Sequence, residues 1–196
     1  MKRFLIILFG ALALMALYAV TARNGLVALD EGVNEKWAQV ENVYQRRVDL
    51  IPNLVNTVKG YAAHEKTTLE DVIKARAAAV NPQAAMTTGA PHSDEEMRAF
   101  ENSQNALTGT LSRLMVVVEK YPDLKANENF LALQSQLEGT ENRITVERQR
   151  YNEIVREYNT KIRSFPTNVV AGFFTFERRA LFTAKPGSDV VPEVKF

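Results

Sequence analysis

The two histidines are the residues of this chain best able to do chemistry, and neither has the company that chemistry needs. His64-Glu65 opens like a zinc-protease helix, in which histidines four residues apart share one face and the glutamate acts as base. The residue four after His64 is Thr68, so the second ligand is missing. His92 stands far along the chain, and a zinc site here would be built almost wholly from carboxylates, against the metal's usual nitrogen and sulfur set. No cysteine is present, so thiolate metal sites, cysteine nucleophiles and disulfides are excluded. Gly139-Thr140 lacks both the spacing and the lysine of a phosphate loop. No nucleophile elbow occurs, and no spacing joins a serine to a histidine and an acid. The sequence assembles no catalytic set and implies no cofactor and no metal, so the protein reads as non-enzymatic.

Residues suited to binding are easier to find. His64, Glu65 and Lys66 interrupt an otherwise apolar stripe. They read either as a polar contact to a partner, or as a solvated turn or a pair with the Glu141-Asn142-Arg143 region. Residues 169–182 form the other candidate surface. Five of the ten phenylalanines lie between Phe165 and Phe182, and Phe173, Phe174 and Phe176 are followed by Arg178 and Arg179. Aromatic rings beside cations suit a membrane interface or a protein partner. The competing reading has these rings cap the open end of a bundle. Arg46 and Arg47 beside Asp49 suggest lipid phosphates if the chain bends there, or more simply an ion pair within one helix. Tyr44, Tyr61, Tyr151 and Tyr158 read as core residues whose hydroxyls reach a bundle edge.

The elements that must position these residues are helices. From Leu29 to Ala79 apolar residues return every three or four places, including Val33, Trp37, Val40, Tyr44, Val48, Ile51, Val55 and Val58. Pro52 falls inside this stripe and predicts a kink or break near residues 49–51. The stripe keeps its phase across Pro52, which favours a kink over a reversal. Residues 80–92 read as a loop. Ser93 with Glu96 forms a capping-box signature for a second helix, whose stripe is Met97, Phe100, Leu107, Leu111, Leu114 and Val118. A third helix runs from about Asn127 to Arg163 in heptad phase, with polar residues at two seam positions. Helix one, about 75 Å long, outruns helix two at about 42 Å. That leaves Trp37 and Tyr44 unpaired unless the C-terminal segment packs there or the chain reverses near Pro52.

Ahead of these helices lies an uncharged run from Phe4 to Ala22, with Lys2 and Arg3 before it and Arg23 after it. As a helix it spans about 28 Å, close to bilayer thickness. Val20-Thr21-Ala22 would also serve as a cleavage site, but the run exceeds the usual signal core, which favours a retained anchor. The basic residues keep the N-terminus cytoplasmic and place the body outside the cytoplasm. The chain has 24 Lys+Arg against 23 Asp+Glu. Without Lys2 and Arg3 the body is close to neutral, which argues against a nucleic-acid partner.

Two long blocks carry a resemblance. RRVDLIPNLVNTVKGYAAHEKTTLEDVIKARA (46–77) and YPDLKANENFLALQSQLEGTENRITVERQRYNEIVREYNTKIRSFPTNVVAGFFTF (121–176) resemble the LemA family, as do the anchor and the ending Pro192-Glu193-Val194-Lys195-Phe196. The resemblance implies a membrane-anchored bacterial protein with a long helical bundle and no catalytic residues, some of its relatives being tied to membrane stress or membrane remodelling. The expected fold is all-α, an elongated antiparallel up-and-down bundle. It has either three long helices and a short C-terminal one, or four if the chain reverses near Pro52. Residues 1–23 form the anchor, 24–185 the bundle and 186–196 an extended tail. The expected role is a scaffold or adaptor of the bacterial envelope, held in the lipid bilayer and presenting its bundle to a membrane or envelope protein. A self-associating, homo-oligomeric protein that shapes membranes is the alternative.

Overall fold

In a computed structural model, which describes residues 1–80 and 89–183, the chain is a bundle of helices. The 186–196 tail and residues 81–88 of the loop lie outside the described residues. Helix α1 (Lys2–Tyr61) is a single rod of 60 residues, about 90 Å long. No residue of its first third is buried, and that run is long and apolar enough to cross a membrane. From Leu26 onward the same helix carries the buried stripe read from the sequence, Val33, Trp37, Val40, Tyr44, Val48, Ile51, Val55 and Val58.

Pro52 neither ends α1 nor reverses the chain. A proline inside a helix removes one donor and strands the carbonyl four residues earlier, here that of Val48. Helix α2 (Lys66–Val80) supplies the replacement: Arg76 Nε donates to the Val48 carbonyl at 3.2 Å. The reversal occurs instead at residues 62–65, where the apolar stripe loses phase at Glu65. The 50-residue helix expected from Leu29 to Ala79 is therefore two antiparallel helices.

Helix α3 (Asp94–Val118) begins with the expected capping box, Ser93 Oγ accepting from the Glu96 amide at 3.1 Å and Glu96 returning to the Ser93 amide. A single turn, α4 (Pro122–Lys125), leads into α5 (Glu128–Arg163), whose cap Asn127 accepts from the Phe130 amide at 3.0 Å. Helix α5 runs back along most of the packed length of α1. A short helix, α6 (Thr167–Phe173), returns to the apolar third of α1.

The core has two compartments. The far one joins α1, α2, α3, α4 and the start of α5, around Leu54, Val58, Leu107, Leu114 and Phe130. The near one joins α1, α3, the later part of α5 and residues 176–182, around Trp37, Phe100, Tyr151 and Phe182. Arg47 sits at their junction, only 3% exposed. It donates to the side chains of Gln104, Thr108 and Glu141, and Gln104 in turn donates to the Ala79 carbonyl at 3.2 Å. The expected pairing of Arg47 with Asp49 within α1 is thus corrected: Arg47 faces inward across three helices, and Asp49 accepts from Gln45.

If Arg76 stands in for the amide that Pro52 lacks, the two residues are energetically coupled. Removing Arg76 (R76M) is expected to cost about 1–2 kcal/mol in the native background, and distinctly less when P52A restores the backbone donor. Urea unfolding of the four members of this double-mutant cycle measures the difference.

Candidate functional site

The end of α6 is where the chain turns back from the apolar third of α1. The Phe176 amide donates to the Ala171 carbonyl at 3.0 Å, and the Thr175 amide to the Gly172 carbonyl at 3.4 Å. That pair of bonds is a Schellman motif, with Thr175 at φ 56° where glycine is usual. Phe176 and Ala171 meet beneath it in the near core. The motif aims residues 176–183 down the bundle, parallel to its axis.

This turn splits the five phenylalanines between two surroundings. Phe165 and Phe173 stand outward, 83% and 82% exposed, with Phe174 beside them. They join Val169, Met15 and Ala19 around a groove of about 490 Å³ whose walls are wholly apolar. Tyr18 and Thr167 hydrogen-bond through their hydroxyls at 3.0 Å, fastening α6 to α1 within the apolar run. The Arg23 guanidinium lies 5.1 Å from the Phe174 ring centre, a cation–π contact at the end of that run. A second cleft of about 510 Å³ shares Tyr18, Phe165 and Pro166 with the first and is lined further by Arg156, Glu157 and Lys161.

Phe176 and Phe182 turn inward. Phe182 stacks on Trp37 at 6.0 Å and meets Tyr151 edge-on at 5.5 Å, while Arg148 covers its ring at 4.3 Å. An extended segment inside a helical bundle must find partners for its backbone. Asn159 supplies two, accepting from the Arg179 amide at 3.0 Å and donating to the Arg179 carbonyl at 2.9 Å. Asn152 repeats this on Phe182 at 2.9 and 3.0 Å. Seven helical residues rise about 10.5 Å and three extended ones about 10 Å, so the two amides stay in register with the segment. Tyr151 donates to the Ala180 carbonyl between them at 3.0 Å.

Arg178 is exposed, whereas Arg179 is only 8% exposed and fully engaged. Its guanidinium donates to Asp30 at 2.8 and 3.1 Å and to the Ala90 carbonyl at 3.2 Å, and it contacts the His92 ring. Arg179 therefore ties the C-terminal segment to α1 and to the start of α3, and turns away from the surface formed by Phe173 and Phe174. His64, Glu65 and Lys66 occupy the opposite end of the bundle, at the α1–α2 turn. Glu65 accepts from the Tyr121 hydroxyl at 3.1 Å rather than meeting residues 141–143. About 65 Å of α1 separates the two candidate surfaces. Sequence reading missed Tyr18, Thr167, Asn152 and Asn159; the recurrence of asparagine seven residues apart on α5 was the available signal for the last two.

Burial raises the pKa of Tyr44, Tyr151 and Tyr158 above the ordinary tyrosine value. The Arg148 and Arg47 charges oppose this at Tyr44 and Arg179 opposes it at Tyr151; Asp30 reinforces it at Tyr158. Below about pH 10 both folded and unfolded states keep these protons, and the stability is complete. Above it the unfolded chain releases protons the folded chain retains, so stability falls as pH rises. Near-UV circular dichroism is expected to show the denaturation midpoint dropping beyond about pH 10. Separately, N159A strands the Arg179 backbone, and urea unfolding is expected to register a loss of about 2–3 kcal/mol.

Similarity to known proteins extends over most of the chain. Magnetosome protein MamQ 2 of Paramagnetospirillum magneticum is 26% identical over 182 residues, covering 85% of this chain. The match takes in 66% of that protein, so the chain spans just under two thirds of its length. Protein LemA of Metamycoplasma hominis is 26% identical over 185 residues, covering 93% of this chain and 80% of its own. MamQ of Magnetospirillum gryphiswaldense is 24% identical over 190 residues, covering 87% and 69%. Residues 36–196 match the LemA family, a span that takes in the α1 stripe from Trp37 on, the α2–α3 hairpin and α5; the chain belongs to the LemA family.

Proposed function

We propose that this protein is a non-enzymatic, membrane-tethered scaffold of the bacterial envelope, holding a rigid bundle against the bilayer for other membrane or envelope proteins to dock on. The observation that carries this reading is the continuity of α1. The apolar run and the core stripe belong to one 60-residue helix with no flexible joint between them. An enzyme domain on a membrane leash needs only a linker; a helix shared between lipid and core fixes the angle and height of everything packed on it. Lys2 and Arg3 before the run support a cytoplasmic N-terminus and an extracytoplasmic bundle. The α6 surface supports the second reading, a protein that associates with itself and shapes membranes, because Phe165, Val169 and Phe173 offer apolar contacts at the level where copies would meet in a bilayer.

Photo-crosslinking in intact cells tests the scaffold. Reporters at Ile73, Val116 and Leu131, all exposed in the far half of the bundle, are expected to give one discrete adduct with another envelope protein from neighbouring positions. Recovery of the monomer alone from every face overturns the scaffold. Further reporters at Val169 and Phe173 that give adducts only between copies replace it with the self-association reading.

A further inference from the structure

We infer that the paired clefts on either side of Phe165 and Pro166 form one binding site for an anionic phospholipid, an acyl chain lying in the apolar groove against α1 and the phosphate meeting Arg156 and Lys161. The site rests on the tethered reading and extends it by naming a ligand.

The two clefts share Tyr18, Phe165 and Pro166 but differ in character. Each, at roughly 500 Å³, falls within the roughly 300–1,000 Å³ range of small-molecule sites. The groove is apolar on every wall, and three of its lining residues, Met15, Tyr18 and Ala19, belong to the uncharged run. Met15 lies about 12 Å along the helix from Arg23, so the groove opens at the depth of acyl chains just inside the end of the span. Across Phe165 the second cleft carries Arg156, Lys161 and Glu157, two cations against one carboxylate, with the Thr160 and Ser164 side chains beside them. Arg156 and Lys161 are exposed, and neither forms an ion pair among the described residues. An apolar slot at chain depth, adjoining two uncommitted cations at headgroup height, matches the two ends of a phospholipid in order and in polarity. Charge at the second cleft selects the anionic class.

The test reconstitutes the full-length chain in phosphatidylcholine vesicles holding a minor fraction of phosphatidylglycerol. Flotation is read first, then the lipids retained in mild detergent are counted by native mass spectrometry. The wild-type chain is expected to float and to keep phosphatidylglycerol in preference to phosphatidylcholine. R156A/K161A is expected to float equally well and to lose that lipid about ten- to thirtyfold, the effect of removing two interfacial cations. K59A, at the far end of the bundle, is expected to keep it. Flotation without a lipid preference, or a double variant that retains phosphatidylglycerol, overturns the site and leaves the tether standing. Failure to float overturns both. Displacement by soluble glycerol phosphate at matched concentration assigns the site to the headgroup alone and overturns the acyl-chain half. A dimer that dissociates on R156A/K161A makes a second copy the occupant and overturns the lipid.

Discussion

The membrane-side half of α1 presents more apolar stripe than the other helices can cover, and much of the architecture answers that shortfall. From Leu26 to Tyr61 the helix is about 54 Å long, while α3 is about 37 Å and α2 about 22 Å. The α2–α3 hairpin completes the far compartment with four helices. Around Trp37 only α1, α5 and the beginning of α3 are present, and a fourth wall is needed. An extended chain advances about 3.3 Å per residue against 1.5 Å for a helix. Eight residues in that form therefore cover what would take about five helical turns, in a narrower cross-section. Phe182 then fills the space beside Trp37, Phe100 and Tyr151, burying an aromatic surface worth several kcal/mol.

Extended backbone in a helical core carries unpaired donors and acceptors, and the polar residues of the near compartment exist largely to satisfy them. Asn152, Asn159 and Tyr151 take the main-chain groups of residues 179–182, and Arg179 closes the end of the segment on Asp30. Buried ion pairs of this kind contribute little net stability, since desolvation offsets attraction, but losing one partner is costly. Their value is register. Arg179 can meet Asp30, the Ala90 carbonyl and His92 together in only one placement of the C-terminal segment. Arg47 does the same for α1, α3 and α5 at the junction of the compartments, although its Nε, like Trp37 Nε1, has no partner among the described residues.

What could be read from the sequence and what could not divide along a physical line. The apolar stripe of α1 as far as Val58, the stripe of α3, the Ser93 capping box and the uncharged run are local or periodic signals, and each appears where the pattern placed it. Pro52 left kink and reversal both open because its local rule is sound but its compensation is tertiary: the group that donates to the stranded carbonyl lies 24 residues further on, in Arg76. The turn at residues 62–65 contains no proline and no glycine, so only the loss of phase at Glu65 marked it. The candidate surface at 173–179 mixed two environments because hydrophobicity cannot tell a ring facing a core from one facing lipid. Direction was set by the Schellman turn at Thr175, and a threonine there carries no sequence signature.

That turn also explains why α6 is so short and so exposed. In water, Phe165, Val169 and Phe173 would form an unfavourable apolar patch beside an equally bare helix. The same residues continue the apolar surface of α1 around the foot of the bundle, which is the arrangement a bilayer would favour. Seven residues suffice because the helix has only to carry the chain across the foot of the bundle. Phe174 is held by Arg23 on the membrane side, and one residue beyond the turn Phe176 enters the core. The wall that closes the Trp37 compartment is consequently hinged on the element that packs on the apolar third of α1. Displacing α6 relative to α1 would break the Tyr18–Thr167 and Arg23–Phe174 contacts together. Bundle closure and the docking of α6 on the apolar run are thus one packing problem, solved at a single corner of the chain.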